Sequence, residues 1–422
     1  MLNILTIDVE DYFQVHAFSD VIKFEDWGNF ECRIERNIDR LLSILSNSAI
    51  KNGSTAARQH GNTLIQQHSS TSALKYNSAL NTQNSKLDHS ITHSLNNSFT
   101  QRVKATFFVL GWIAERYPGL VQRIQKEGHE IACHGYAHKR IYTQSKEEFR
   151  QDVKRAKSIL EEITGNEVMG YRAPNYSITN ESRWAFEVLV EEGFKYDSSI
   201  FPIRHDFYGI PNAPRFPFVV SLNGANNVEF SVLNFELNTA APNNRSTAAL
   251  SNSLTYSPNN SISNNSKPQT SVLKVNSITH PVIIPSCGVS EPQHGSTAAL
   301  SNSLTHSLVN SKGLIEFPIS TVKVLGQNFP ISGGGYFRLF PYSLIRRGLK
   351  SINQKESKPF IFYVHPWEFD PDQPRIKGVT HLSKFRHYVN LDKTEERFMR
   401  LLTEFNFSSI RDILELNNPF TQ

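Results

Sequence analysis

The chain has 422 residues, of which 39% are hydrophobic and 20% are charged, and its formal net charge is +5. This length predicts two or three domains, or one large α/β domain with insertions. The positive charge does not indicate a nucleic-acid partner. Five basic residues against one acidic lie in segment 47–103, and four against one lie in segment 238–312. Neither segment clusters its basic residues into a face, so we expect no nucleic acid to bind.

The cysteine content and the lack of long apolar runs indicate in which cellular compartment the protein is expected. Three cysteines (Cys32, Cys133 and Cys287) cannot form a disulfide framework, which is typical of a reducing environment. The first apolar run, residues 2–7, is too short for a signal peptide and has no basic residues before it. No run of about 18 apolar residues predicts a membrane span. We therefore expect a cytoplasmic protein, and the sequence leaves its oligomeric state open.

The chain begins with a predicted strand and helix and then changes composition. Residues 2–7 read as a buried strand that ends at an acidic run, and apolar residues at helical spacing predict a helix over 33–46. Segments 47–103 and 238–312 are instead rich in Ser, Asn, Thr and Gln, and the string STAALSNSLT occurs at 246–255 and again at 296–305. We predict that both segments are low-complexity, disordered insertions.

The remaining sequence, about 290 residues, alternates between predicted strands and helices. Strands are expected over 103–111, 129–135, 170–174, 194–197 and 359–365, and helices over 112–127, 145–164 and 180–192. Ser145 followed by Glu148 indicates a capping box at the start of the second of these helices. This pattern predicts a parallel sheet or barrel built from 1–46, 104–237 and 313–390, followed by a helical C-terminal extension over 391–422.

Polar side chains follow the predicted strands repeatedly. They are Asp8, Glu10, Asp11, His134, Arg172 and His365. The carboxyl ends of strands are where parallel α/β folds place their chemistry. His134 and His138 are four residues apart, so a tight loop or helical turn would direct both imidazoles to one side, as in half of a divalent metal site.

Each of these residues also has an ordinary structural interpretation. The acidic run is by itself more typical of a solvated loop or helix cap, a single histidine at a strand end is usually structural, and Arg172 could simply pair with a neighbouring acid. A second pair with the same spacing, His89 and His93, lies in a low-complexity segment. The recurrence at ordered strand ends favours the catalytic interpretation.

These residues lie in motifs that resemble a known family. The runs TIDVEDYF, HGYAH, RAPNY and FYVHP resemble the polysaccharide deacetylase (NodB-homology) family of carbohydrate esterases. The longer strings DVEDYFQV, ATFFVLGW, SGGGYFRLFPY and YVHPWEFDPDQPR resemble the subgroup associated with exosortase exopolysaccharide loci. The resemblance implies an α/β fold, a distorted (β/α)7 barrel. It also implies hydrolysis of a carbon–nitrogen bond, the N-acetyl amide of N-acetylhexosamine units in an exopolysaccharide or its precursor.

The resemblance also implies a cofactor and its ligands. The family binds a divalent metal ion, with zinc expected first and cobalt or another metal as alternatives, and His134 and His138 match its nitrogen ligands. The family pattern has two adjacent aspartates, and Val9 stands at the second of these positions and cannot bind a metal. Glu10 is the favoured third ligand, because it shares a strand face with Asp8, and Asp11 is the next candidate.

The remaining roles follow from matched motif positions. The resemblance makes Asp8 the catalytic base, Arg172 the residue that pairs with the base, and His365 the general acid. A backbone amide near Asn175 would stabilise the oxyanion. Tyr176 and Trp367 are the candidate residues for contact with substrate. The acetylated oligosaccharide or polysaccharide is the one partner that this assignment implies.

Two other functions remain open from the sequence. The same fold could hydrolyse another carbon–nitrogen bond, such as that of a small cyclic amide. The absence of the second aspartate also allows a catalytically silent carbohydrate-binding protein.

Overall fold

The structure is a computed structural model, and it describes residues 1–48, 102–222, 228–233 and 313–416. The two predicted insertions, 47–103 and 238–312, lie almost entirely outside the described residues. Their predicted disorder therefore stays a prediction. Within the described residues, no helix has the length and apolar character required to cross a membrane.

Seven parallel strands form the central sheet. In sheet order they are β11 (Ile361–Val364), β1 (Leu2–Val9), β2 (Thr106–Val109), β3 (Glu130–Cys133), β4 (Gly170–Tyr171), β5 (Tyr196–Asp197) and β8 (Gly313–Glu316). Every neighbouring pair in this series is parallel. Strands β8 and β11 are not paired with each other; the irregular segment after β8 contacts β11 instead, where Ser320 Oγ accepts a hydrogen bond from the Ile361 amide at 2.8 Å. The predicted α/β class is confirmed, and this arrangement agrees with a distorted seven-stranded barrel.

Five further strands extend or flank this sheet. Strands β6 (Phe218–Leu222) and β7 (Val228–Val232) add to β8 in antiparallel order, and β9 (Thr321–Val324) and β10 (Gln327–Pro330) form a separate hairpin. Strand β12 (Asn406–Ser408) pairs in parallel with the start of β1. The C-terminal segment, expected to be a helical extension, therefore also contributes a strand to the central sheet.

Ten α-helices surround the strands in the described parts of the chain. They are α1 (Ile34–Ser46), α2 (Gly111–Arg116), α3 (Pro118–Lys126), α4 (Lys146–Thr164), α5 (Ala185–Glu191), α6 (Gly334–Leu339), α7 (Tyr342–Lys355), α8 (His381–Tyr388), α9 (Thr394–Glu404) and α10 (Ile410–Leu416). The capping box predicted at Ser145 and Glu148 is confirmed. The helix predicted over 112–127 is instead two helices, because Pro118 has no N–H to continue the first and begins the second.

Side chains alternate between the two faces of each strand, so residues that pack against the helices alternate with residues that point into the barrel. On β1, the apolar residues Leu5, Ile7 and Val9 belong to the large cluster packed against the helices, whereas Ile4 belongs to a smaller cluster inside the barrel. Asp8 lies four residues after Ile4 and therefore continues the inner face. His134 and His365 likewise follow the inner residues Ala132 and Tyr363 by two positions. The inner face of the barrel is thus polar at the carboxyl ends of the strands and apolar along the rest of their length.

The barrel interior beneath the polar layer is filled by side chains. Tyr196 is fully buried there, and its ring covers Gly170, where an added Cβ would lie 2.0 Å from the ring. Only glycine fits at this position of β4. The candidate site therefore rests on a packed core and not on a pore.

Candidate active site

Asp8 and Arg172 form a buried ion pair at the carboxyl ends of β1 and β4. Arg172 Nη1 donates to Asp8 Oδ1 at 2.6 Å, and neither residue is more than 2% exposed. The guanidinium is fixed from below, because Nη1 also donates to Thr6 Oγ1 at 2.8 Å and Nε donates to the Ser198 carbonyl at 3.1 Å. A carboxylate is thus held in one orientation at the top of the barrel.

Glu10, His134 and His138 form a group that could hold a metal ion. Their ligand atoms all lie within 4.8 Å of one another, and all three residues are buried or nearly so. Two imidazoles and one carboxylate are a donor set typical of catalytic zinc sites. His134 Nδ1 lies 2.8 Å from the Arg172 carbonyl, which can only accept, so Nδ1 carries the proton and Nε2 keeps its lone pair.

An unsatisfied oxygen supports this fit. Glu10 Oε2 is buried and lies 2.8 Å from His138 Nε2, yet among the described residues no donor meets it with hydrogen-bond geometry. A buried carboxylate oxygen without a donor is unfavourable unless a cation binds it. The residues present therefore fit a divalent ion.

The loop that carries His138 is held by a buried carboxylate. Asp152 Oδ2 accepts a hydrogen bond from the Tyr136 amide at 2.7 Å, and Oδ1 accepts one from the Ala137 amide at 3.3 Å. Gly135 has a φ of 73°, and a Cβ there would lie 2.8 Å from Asp152 Oδ2. His138 itself has a φ of 53°, a conformation that non-glycine residues rarely adopt. The loop stores backbone strain to direct His138 towards Glu10.

His365 faces the same centre from the end of β11. Its Nε2 lies 3.4 Å from Glu10 Oε1 and 3.9 Å from Asp8 Oδ2. Its Nδ1 lies 3.0 Å from Glu368 Oε1. Burial alone would lower the pKa of His365, but the carboxylates of Glu10 and Glu368 outweigh it and raise the pKa to about 9. The two carboxylates thus favour the protonated form of the imidazole.

Burial and the neighbouring charged groups also shift the pKa values of Glu10 and His134. Burial alone would raise the pKa of Glu10, but His138 and His365 outweigh it and hold the pKa well below its usual range. Burial lowers the pKa of His134 to about 4, so that imidazole is neutral and free to bind a cation.

Two side chains that the sequence analysis missed support His365. Glu368 is completely buried, and Arg338 Nε lies 3.5 Å from Glu368 Oε1. Glu368 follows His365 by three residues in the string HPWE, which is the spacing of one tight turn, so this neighbour was visible in the sequence. Arg338 was not visible as a neighbour, because it belongs to α6 and precedes His365 by 27 positions.

Trp367 lies behind Glu10 and not in an open groove. It is 4% exposed, it donates from Nε1 to Glu10 Oε1 at 3.2 Å, and its ring stacks on His387 at 4.2 Å between centroids. We expected it to contact substrate. The structure instead places it where it orients the carboxylate of Glu10.

Asp11 is not brought into this group. Its Oδ2 accepts hydrogen bonds from the Arg33 amide at 2.6 Å and from Cys32 Sγ at 3.1 Å, and its Oδ1 accepts one from the Tyr12 amide at 2.8 Å. The strand ends at Val9, and the turn that follows directs Glu10 to the histidines and Asp11 to the start of α1.

Asn175 and Tyr176 form a turn beside Asp8. Both have positive φ values, 54° and 53°. Tyr176 Oη lies 3.5 Å from Asp8 Oδ2, and Asn175 Nδ2 is buried without a hydrogen-bond partner among the described residues. A strained turn with an unused buried donor lies next to the candidate base, where an oxyanion would form.

Two family models match the chain. The model described as polysaccharide deacetylase matches residues 55–190, which contain His134, His138 and Arg172. The model described as a domain of unknown function (DUF3473) matches residues 288–415, which contain His365 and Trp367.

Several known proteins are similar to parts of the chain. A peptidoglycan-N-acetylglucosamine deacetylase of Bacillus cereus is 38% identical over 86 residues, which is 20% of this chain and 31% of that protein. The peptidoglycan deacetylase-like protein FGM2 of Gibberella zeae is 35% identical over 98 residues, 23% of this chain and 28% of that protein. The chain thus spans about a third of the length of these curated relatives.

A solved structure is also similar. The polysaccharide deacetylase Bc1974 from Bacillus cereus is 29% identical, with 23% of this chain and 48% of that chain covered and a TM-score of 0.21. The family model over 55–190 and the curated relatives agree on one kind of domain. The chain carries a domain of the polysaccharide deacetylase (NodB-homology) family.

Proposed function

We propose that this protein is a metal-dependent hydrolase that removes N-acetyl groups from N-acetylhexosamine units of a polysaccharide. One observation carries the proposal. A buried carboxylate paired with arginine, a Glu–His–His group and the imidazole of His365 converge at the carboxyl end of one barrel. Amide hydrolysis requires a base for the attacking water, a means to polarise the carbonyl, and an acid for the leaving amine.

Asp8 is the proposed base. Arg172 balances its charge and fixes Oδ1 at 2.6 Å, which leaves Oδ2 directed towards the centre, 3.9 Å from His365 Nε2. A proton taken from water by Oδ2 would stay in a buried site shielded from solvent. Replacement of Arg172 would leave this carboxylate without its partner and without its orientation.

Glu10, His134 and His138 are the proposed ligands of the divalent ion, for which zinc is the first candidate and cobalt the second. When bound there, the ion would polarise the acetamide carbonyl and lower the pKa of a bound water towards about 7. Trp367 orients Glu10 from behind, and the Arg172 carbonyl fixes the tautomer of His134.

His365 is the proposed acid. Its Nε2 faces the centre, while Glu368 fixes Nδ1 from the other side. The leaving amine of a sugar is too basic to depart as an anion, so its nitrogen must receive a proton as the C–N bond breaks. The turn at Asn175 borders the same space, where a backbone amide would stabilise the oxyanion.

The names of the relatives support the substrate class, because one is a peptidoglycan-N-acetylglucosamine deacetylase and the other is a peptidoglycan deacetylase-like protein. An exopolysaccharide or its precursor as the polymer and a cytoplasmic location are part of the proposal. A catalytically silent carbohydrate-binding protein is less favoured. Val9 stands where the family has its second aspartate, but the carboxylate of Glu10 lies beside His134 and His138 and can bind the metal in its place.

The experiment is acetate release from N-acetylated oligosaccharides by the purified protein supplied with zinc or cobalt. We expect release that Asp8→Asn and His134→Ala each abolish, while the exposed Glu167→Gln leaves it unchanged. Equal release by wild type and both site variants would overturn the proposal. Turnover of small cyclic amides with none of any acetylated glycan would favour the other carbon–nitrogen hydrolase.

A further inference from the structure

Two cavities meet beside the candidate site and together form one groove. Both are lined by His16 and Asn175, and the smaller is also lined by His138. We call the smaller cavity, lined by Lys23, Lys139 and Arg140, the basic lobe. We call the larger cavity, lined by Phe207, Tyr208, Tyr336 and Phe385, the aromatic lobe. Asn175, in the turn beside Asp8, lines both lobes, so a chain bound along the groove would pass this turn and extend on both sides of it.

The aromatic lobe suits uncharged sugar faces. Its volume is about 530 Å³, and Phe207 and Phe385 on its walls are 49% and 54% exposed. Large apolar side chains with this exposure, grouped around one cavity, are typical of a binding surface. Phe385 belongs to α8, so the C-terminal part of the chain forms a wall of the groove.

The basic lobe has a different character. It is about 190 Å³ in volume and is lined by three cationic residues and by no carboxylate. Within the described residues, the side-chain nitrogens of these three residues form no ion pair with a carboxylate, although the Lys23 backbone amide donates to Asp26 Oδ2 at 3.2 Å. Lys23 Nζ donates to the Ser19 carbonyl at 2.8 Å, and Arg140 Nη1 lies 3.2 Å from His16 Nε2 and 3.1 Å from Tyr142 Oη.

Two carboxylates lie near Lys139, and both accept hydrogen bonds from other groups. Hydrogen bonds from Ser145 lower the pKa of Glu148, and the charge of Lys139 lowers it further. Asp152 accepts the amides of Tyr136 and Ala137. No carboxylate lines the lobe itself, and its positive charge faces the groove one residue beyond the metal-ligand candidate His138.

We propose that the substrate is an anionic glycan that lies across the site, with a carboxylate-bearing sugar unit in the basic lobe next to the acetylated unit. The inference rests on the proposed function and adds the charge of the polymer and its mode of binding. Arginine and lysine together recognise a carboxylate by charge and by directional hydrogen bonds. The small lobe fits one charged unit, and the aromatic lobe holds the continuing chain.

The test compares two oligosaccharides that differ only in charge. One is a hyaluronan hexasaccharide, in which N-acetylglucosamine alternates with a uronic acid, and the other is the same hexasaccharide with its carboxylates reduced to alcohols. We expect wild type to show at least tenfold higher kcat/KM on the acidic form at low salt, a ratio that falls as salt screens the charges. Lys139→Gln and the double variant Lys139→Gln, Arg140→Gln should lower this ratio stepwise towards one.

Controls separate the outcomes. Arg347→Gln removes an exposed cation of α7 that lines neither lobe, and the preference should survive it. Equal kcat/KM on both oligosaccharides, or a preference that the basic-lobe variants leave intact, would overturn the inference. If no acetate is released from either, calorimetric binding of the same pair decides. Tighter binding of the acidic form that is lost in the variants keeps the inference, whereas equal binding of the two forms overturns it; the deacetylase activity is decided separately by acetate release from N-acetylated oligosaccharides.

Discussion

Arg172 Nη1 lies 2.6 Å from Asp8 Oδ1, and the arginine side chain is completely shielded from solvent. The pair joins β1 and β4 across the barrel, between residues 164 positions apart in the sequence. Its burial means that the charges are screened little by water, so each depends strongly on the other.

Replacement of Arg172 should therefore destabilise the fold as well as the site. We expect Arg172→Met to lower the free energy of unfolding by about 3–5 kcal/mol, because it leaves a buried carboxylate unpaired. Lys195→Met, which removes an exposed ion pair to Glu167, should change it by less than about 1 kcal/mol. Urea denaturation measures both. Similar small losses in the two variants would show that the buried pair is not needed for stability.

Metal analysis should show whether Glu10 or Asp11 is the carboxylate ligand of the metal ion. Glu10→Gln should weaken binding of zinc by more than the ~10–100-fold that loss of an outer-sphere partner costs, because a ligand itself is removed. Asp11→Asn should retain the metal, because its carboxylate faces Cys32 and Arg33. Titration with zinc, with circular dichroism to confirm folding, gives the answer. Loss of metal in a folded Asp11→Asn protein and retention in Glu10→Gln would reverse the assignment.

The acid function of His365 predicts a dependence on the leaving group. His365→Ala should lower kcat on N-acetylated oligosaccharides by roughly 10²–10⁴-fold, which is the usual contribution of general acid catalysis. The same variant should lose much less on p-nitrophenyl acetate, whose leaving group departs without a proton. Glu368→Gln should show a weaker form of this pattern, with KM little changed, because it only loosens the orientation of His365. Equal losses on both substrates would assign His365 to another task.

Excision of residues 49–102 should leave the barrel folded. The Val103 amide donates to the Ser48 carbonyl at 3.3 Å, so the two ends of the segment are already adjacent. A short Gly-Ser linker can join them with little loop-closure entropy. We expect a melting temperature within a few degrees of the full chain and the same metal content. Failure to obtain soluble protein with several linker lengths would contradict the prediction.

A buried pair of carboxyl groups should make stability depend on pH. Burial raises the pKa of Asp197 to about 6, and burial together with Asp197 raises the pKa of Glu316. In the unfolded chain both groups release protons near pH 4, whereas the native protein retains them above that value. The free energy of unfolding should therefore fall as pH rises from about 4 through the native pKa values.

Glu316→Gln should flatten this dependence. A glutamine amide can donate to Asp197 without a proton from solvent, and its oxygen can still accept from the Ile200 amide, as Glu316 Oε1 does at 2.8 Å. Urea denaturation between pH 4 and 8 measures the slope, and the exposed Glu167→Gln serves as the matched control. An unchanged slope in Glu316→Gln would mean that this pair does not titrate with folding.

The sequence by itself determined the α/β class, and it supplied most of the residues proposed for the site. The apolar run at residues 2–7 located β1, and Ser145 with Glu148 marked the start of α4, because both patterns depend on neighbours within a few residues. The same local reasoning placed Asp8, His134, Arg172 and His365 at strand ends. It could not decide between Glu10 and Asp11, because a single turn after Val9 reverses the direction of successive side chains.

Only the tertiary structure decided which groups meet. Arg338 supports His365 through Glu368, and Trp367 orients Glu10. Arg338 is far in sequence from His365, and Trp367 is far in sequence from Glu10, so no local pattern marks these contacts. The groove likewise exists only where α8 approaches the loops that carry His16 and Asn175. Packing between segments far apart in sequence fixes these distances, and burial strengthens the interaction of Asp8 with Arg172 because it removes the water that would otherwise screen their charges.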